Sequence, residues 1–133
     1  MIIVLDACAM IAYLRNEEGA DVIEQHLLDA NSTCYAHAIN VCELYYDFLR
    51  VSDQATALAA VHDLQNIGII VSEDLDSALW QAAGSLKATQ RLSLADCFAL
   101  AFANRLGGQL LTSDHHEFDP IQTAGLAAIL FFR

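Results

Sequence analysis

At 133 residues the chain is long enough for one domain with a sizeable core and too short for two of ordinary size. It is 56% hydrophobic, yet no apolar run approaches the ~18–20 residues that a membrane span needs, and no basic stretch precedes an apolar one at the N-terminus. These features predict a cytoplasmic protein without a membrane association. Seventeen acidic residues against six basic ones give a net charge of −11, which argues against a broadly basic nucleic-acid surface and favours a basic partner.

Met1–Leu5 is an uninterrupted apolar run that predicts a buried strand, closed by Asp6. Ala7–Leu14 follows as a short helix, then a loop at Asn16–Gly19 and a helix over Ala20–Ala30 with Val22, Ile23, Leu27 and Leu28 at helical spacing. Thr33–Ala36 predicts a short strand. Asn40, a good N-cap, opens a helix from Val41 to about Val51 that carries Glu43. Asp53 caps a helix with Leu58, Val61, Leu64 and Ile67 along one side, and Gly68 ends it. After a brief strand at Ile69–Val71, Leu75–Gln90 predicts a helix with Leu79, Ala82, Ala83 and Leu86 inward. Ser93 caps Leu94–Leu106, a helix rich in Ala and Phe and expected to be buried on most sides, with Asp96 in its first turn. Gly107-Gly108 stops it, Leu110–Thr112 predicts a strand closed by Asp114, and Ala127–Phe132 is the last strand.

Strands alternating with helices imply the α/β class: a three-layer α/β/α sandwich with a mainly parallel central sheet, in a single domain over residues 1–133. In such a sheet the strand C-termini and the helix N-termini that follow them share one edge, where ligands bind. Asp6, Glu43, Asp96 and Asp114 are far apart in sequence and converge on that edge. Each has a plainer reading. Glu43 in N-x-x-E and Asp96 in S-x-x-D can serve as capping-box acids, and Asp114 can serve a turn. Asp6 has the weakest such alternative, because an ionised carboxylate at a buried strand end needs a partner. Cys8, Cys34, Cys42 and Cys97 contain no C-x-x-C pair, which gives no sign of a zinc ribbon or a thioredoxin-type redox motif.

The ordered set Ile3-Val4-Leu5-Asp6, Asn40-Val41-Cys42-Glu43, Leu92-Ser93-Leu94-Ala95-Asp96-Cys97-Phe98-Ala99-Leu100-Ala101 and Leu110-Leu111-Thr112-Ser113-Asp114-His115 resembles the PIN-domain nucleases, most closely the VapC-type toxins of toxin–antitoxin systems. The resemblance covers nearly the whole chain. It implies that Asp6, Glu43, Asp96 and Asp114 are catalytic and bind Mg²⁺ or Mn²⁺ for RNA hydrolysis, leaving 3′-hydroxyl and 5′-phosphate ends, with Asp119 as an accessory candidate. It also implies a homodimer and a cognate antitoxin whose basic segment suits an acidic cleft. Many members carry Ser or Thr two residues after the first Asp, where this chain has Cys8, a poorer hydrogen-bond partner for a carboxylate or a bound water.

Hard oxygen donors of this type match Mg²⁺ or Mn²⁺ better than a soft metal. Lys87 and Arg91, one helical turn apart before the Ser93 cap, and Arg15 are the RNA-contact candidates. His115 and His116 stand beside Asp114 and could reach a phosphate or metal, although neighbouring residues rarely aim at one ion. Apolar side chains around Leu14, Ile23, Leu27 and Tyr45-Tyr46 offer a surface for self-association or for an amphipathic helix. A catalytically silent PIN-like module, acting by binding RNA or a protein, is the alternative function, and Cys8 is what favours it. A receiver-type signalling domain is set aside: the only lysine, Lys87, falls on a helix, and Ile69-Ile70-Val71 ends in Ser72 instead of an acceptor Asp.

Overall fold

Ile3, Val4 and Leu5 have no exposed surface at all, the condition of a central strand covered on both faces. In the computed structural model, which describes all 133 residues, they lie in β1 (Ile2–Leu5), the middle strand of five. The others are β2 (Thr33–His37), β3 (Ile70–Ser72), β4 (Gln109–Thr112) and β5 (Ala128–Phe131). Their spatial order is β3-β2-β1-β4-β5, and every neighbouring pair is parallel, with Val4 opposite both Tyr35 and Leu110.

Seven helices cover the sheet: α1 (Ala7–Leu14), α2 (Ala20–Leu28), α3 (Ala38–Val51), α4 (Gln54–Asn66), α5 (Ser77–Thr89), α6 (Leu94–Leu106) and α7 (His115–Thr123). The strand alternation sorts the core in two. Val4, Leu110 and Ile129 point towards α5, α6 and α7, where they meet Leu79, Ala83, Phe98, Phe102, Phe118 and Ile121. Ile3, Leu5 and Leu111 point the other way, towards Met10, Ile23, Leu44 and Leu64 of α1 to α4. The three-layer α/β/α architecture is therefore as expected, with a sheet that is wholly parallel. α6 is buried from Cys97 to Ala103 without interruption, wedged between the sheet, α5 and α3. No helix is long and apolar enough to cross a membrane.

This topology fixes where a site can form. From β1 the chain leaves towards β2, and from β4 it leaves towards β5 on the opposite side. The carboxyl ends of β1 and β4 are thus the switch point at which a crevice opens in a doubly wound sheet. Asp6 and Asp114 follow directly on those two strands.

Several local expectations need correction. α3 starts at Ala38, not at Val41, because β2 runs on to His37 and the His37 Nδ1 accepts the Ile39 N–H at 3.2 Å as the cap. Asn40 is accordingly no N-cap: it is buried within the helix, and its amide donates to the Ala95 carbonyl of α6 at 3.2 Å. α4 buries the stripe Ala57, Ala60 and Leu64, leaving Leu58 exposed. α5 starts at Ser77 behind an Asp76 cap that accepts the Leu79 N–H, and Ala82 faces outward. α7 is a helix beyond those that the sequence pattern predicts. It carries Pro120 internally and has only Phe118 and Ile121 to bury, so its helical pattern is faint, while Asp114 caps it by accepting the Glu117 N–H at 3.0 Å. Of the apolar side chains offered for a partner, Ile23 is core, Leu14, Leu27 and Tyr45 are half-buried, and Tyr46 is exposed.

Candidate metal centre

Each acid at the switch point is held by backbone or hydroxyl donors. Asp6 is 2% exposed and caps α1, its Oδ1 accepting the Ala9 N–H at 2.8 Å. The Thr112 hydroxyl also bonds to its carboxyl, and the same hydroxyl oxygen accepts the Asp114 N–H at 3.1 Å. Burial pushes the Asp6 pKa up to about 7, against those hydrogen bonds and with added repulsion from Glu43 and Asp114.

Asp96 stands three residues into α6, whose Ser93 cap accepts the Asp96 N–H at 3.2 Å. In a capping box the Asp96 carboxylate would return to the Ser93 N–H. Instead that N–H donates to the Oε2 of Glu117, at 3.4 Å, from the first turn of α7. Glu117 thus takes the place of the Asp96 carboxyl in closing the cap of a neighbouring helix. Burial, a hydrogen bond shared with Glu117 and the charges of Asp6 and Glu117 hold the Asp96 carboxyl well above the usual carboxylate range.

Asp96, Asp114 and Glu117 each offer a carboxylate oxygen within 4.8 Å of the other two. Two of the four sequence candidates therefore meet directly, together with an acid that the sequence reading missed. Glu43 lies on α3 outside this trio, half-buried, with its pKa raised by burial and then by Asp47 and Glu117. The Asn40 amide, one turn earlier, ties α3 to the first turn of α6 and so sets Glu43 relative to Asp96. Asp6 is close enough to repel Asp96 electrostatically. The donor set suits a hard divalent cation: oxygen ligands only, converging on one point, partly desolvated and with no cation among them.

The remaining candidates are placed differently. The Asp119 carboxylate accepts from or pairs with the Nδ1 of His115 at 3.0 Å, and the Nε2 of that ring bonds to the Arg133 carbonyl at 2.9 Å. The ring stacks on Phe131, with centroids 3.8 Å apart. His115 and Asp119 thus fasten the C-terminal strand, and neither joins the trio. Both hydrogen bonds raise the His115 pKa, that to the Arg133 carbonyl most. Arg15 is committed to Asp47 at 2.9 Å and lies 4.5 Å over the Phe48 ring. Lys87 donates to the Leu92 carbonyl at 2.7 Å. Arg91 and His116 line a cleft beside Glu117. Cys8 is exposed, its sulfur 3.4 Å from the Ser113 hydroxyl, so the hydroxyl that serves Asp6 comes from Thr112 instead of position 8. All four cysteines are free.

The PIN domain family profile matches residues 3–122. The chain belongs to the PIN domain family. Its fold is that of solved toxin–antitoxin proteins. VapBC-1 from nontypeable Haemophilus influenzae aligns over 99% of this chain and 98% of its own, with a TM-score of 0.75 at 19% identity. DNA-bound VapBC from Salmonella typhimurium aligns over 100% and 99%, with a TM-score of 0.75 at 16% identity. VapC20 of Mycobacterium tuberculosis, described as a sarcin-ricin loop cleaving toxin, aligns over 90% and 95%, with a TM-score of 0.70 at 13% identity. No curated protein sequence matches this PIN domain significantly. At these identities the likeness is one of fold, and the acids of this PIN domain must be judged on their own geometry.

Proposed function

We propose that this PIN domain is a metal-dependent endoribonuclease and the toxin of a toxin–antitoxin pair. The observation that carries the reading is the convergence of Asp96, Asp114 and Glu117, with Asp6 and Glu43 beside them, at the one sheet edge where this topology opens a crevice. Buried carboxylates without a counter-charge are costly unless a cation meets them. Asp96, Asp114 and Glu117 would hold Mg²⁺ or Mn²⁺, with Asp6 behind them as a fourth acid. A divalent ion supplies a coordinated water of lowered pKa and positive charge for the phosphate oxygens.

In the reaction a water oxygen bonds to phosphorus as the bond from phosphorus to the 3′ oxygen breaks. The phosphate stays on the 5′ side, and the displaced oxygen takes a proton to end as a 3′-hydroxyl. Glu43 stands outside the trio on α3, and its raised proton affinity suits it to accept the proton that the attacking water loses.

The partner reading follows from charge and fold. A net charge of −11 and five uncompensated acids at one edge suit a basic antitoxin segment, and the fold is shared with proteins solved as VapBC complexes. Exposed Tyr46, Leu49 and Val51 on α3 offer the apolar surface for the antitoxin or for a homodimer.

The test is cleavage of a mixed RNA pool by the purified chain, with and without Mg²⁺ or Mn²⁺, beside Asp96→Asn. Metal-dependent cuts by the wild type and a rate at least about a hundredfold lower in the variant are expected. Folded wild type that cuts nothing with either metal would turn the reading to a silent binding module, with Cys8 the first residue to restore to Ser.

A further inference from the structure

Five of the six Lys and Arg side chains are engaged within the chain. Arg15 and Arg50 pair with Asp47, Arg105 pairs with Asp76, and Arg133 reaches Glu17 and the Glu18 carbonyl. Lys87 holds the Leu92 carbonyl. Arg91 alone makes no ion pair, hydrogen bond or aromatic contact, in a chain where acids outnumber bases almost threefold. It is also the one that borders the acidic edge. A cleft of about 480 Å³ runs between the α5–α6 turn and α7, lined by Thr89, Gln90, Arg91, His116, Glu117 and the ring of Pro120. Ile121 completes the lining, so polar side chains sit beside apolar surface. Glu117 belongs both to this cleft and to the carboxylate trio, so the two are continuous.

The turn that carries Arg91 is fixed at three points. Leu92 is buried, its carbonyl is held by Lys87, and the next N–H, of Ser93, is held by Glu117. Lys87 thus contributes by steadying the turn and not by facing a ligand. The cleft falls within the volume range of small-ligand pockets, large enough for one nucleotide, with side-chain donors from Arg91, Gln90 and His116; the Thr89 hydroxyl donates to the Ser85 carbonyl at 2.9 Å and offers the cleft only its lone pairs.

We propose that this cleft is the substrate subsite next to the scissile bond: Arg91 anchors the neighbouring phosphate of a single-stranded RNA, and Thr89, Gln90 and His116 receive its nucleotide. This rests on the nuclease reading and names the residues that let a strongly acidic protein hold an anionic strand. Retention comes from one guanidinium beside the metal site, since no basic surface exists elsewhere. The subsite therefore acts on substrate affinity, not on the bond-breaking step.

The test compares wild type, Arg91→Ala, Arg91→Lys, His116→Ala and, as a surface control, Arg50→Ala on a randomised single-stranded RNA pool with Mn²⁺. Arg91→Ala is expected to raise KM by roughly tenfold, one strong phosphate contact, with kcat changed by less than about threefold. The slope of log(kcat/KM) against log salt should become shallower by about 0.7, the share of one phosphate on a single strand. Arg91→Lys should restore part of the affinity, and Arg50→Ala should match wild type. If Arg91→Ala matches Arg50→Ala while Asp96→Asn is dead, the subsite is overturned and the nuclease stands. Should wild type cut nothing, the nuclease reading falls, and filter retention of the same pool decides: equal retention by wild type and Arg91→Ala overturns the subsite as well.

Discussion

At the periphery Asp47 holds Arg15 and Arg50, Asp76 holds Arg105 through two bonds, Glu17 holds Arg133 and Asp119 holds His115. At the carboxyl edge of the sheet Asp6, Glu43, Asp96, Asp114 and Glu117 share one corner with no Lys or Arg among their partners. The peripheral pairs are at least partly exposed, so water would solvate their carboxylates even without the cations, and each adds little to stability. The edge acids are the ones that most need a counter-charge, and the fold withholds it. What compensates them are neutral donors: the Ala9, Glu117 and Ser93 N–H groups and the Thr112 hydroxyl. A surface that is paired beside a crevice that is not is what the proposed metal-dependent reading requires.

The largest break in that contrast should come from pH and metal acting on stability. Without metal, Asp6 keeps its proton to about pH 7, and Asp96 is raised further in the same direction. Between the ordinary carboxylate value of 3.8 and those raised values the folded chain binds more protons than the unfolded one. Stability is therefore greatest at the acid end of this window and declines as pH climbs through it. The Tm of chelator-treated protein is expected to fall by roughly 5 °C or more between about pH 5 and about pH 8. Mn²⁺ at about a hundred times its dissociation constant should recover ~2.7 kcal/mol, offsetting part of that decline. In Asp96→Asn the amide cannot ionise, so the decline should flatten and most of the Mn²⁺ response should vanish. A Tm that rises across the window, or the same Mn²⁺ response in the variant, would show that the acids are compensated in some other way.

Glu117 sharpens the contrast at the next scale, because it combines a charge with a structural bond. Glu117→Gln keeps an acceptor for the Ser93 N–H and removes the charge beside Asp96. Activity at limiting Mn²⁺ is expected to drop by about 10–100-fold, with saturating metal recovering much of it and Tm unchanged or higher. Glu117→Ala removes the cap as well, so it should lose Tm in addition. Equal metal curves for wild type and Glu117→Gln would remove Glu117 from the metal site and leave it only as the cap of α6.

These residues also mark how far the sequence could be read. Asp6, Asp114 and Ser93-x-x-Asp96 were legible because strand ends and helix starts are local patterns, written within a few residues of each acid. Glu117 stands three residues after Asp114, as Asp96 does after Ser93, and that repeated spacing was the available signal. It was hidden because α7 is short, polar and interrupted by Pro120. Asn40 misled for a different reason. The side chain that suits an N-cap also suits a buried tie, and only the approach of α6 decides that its amide bonds to Ala95. The cations were the least legible. Arg15, Lys87 and Arg91 look alike as sequence, and partners far apart in the chain or across a turn separate one from the others.

Arg15 gives the smallest and most exacting test, since the comparison assigns it wholly to the periphery. Its guanidinium pairs with Asp47 at 2.9 Å and covers the Phe48 ring, and Asp47 keeps Arg50 as a second partner when Arg15 is lost. Arg15→Ala should therefore cost no more than about 1 kcal/mol in denaturant unfolding, part of it from the lost ring contact. Its KM for RNA and its salt dependence should equal those of wild type. A KM shift as large as that of Arg91→Ala would mean that Arg15 leaves Asp47 to meet the substrate. The division between paired periphery and unpaired edge would then hold only for the protein without RNA.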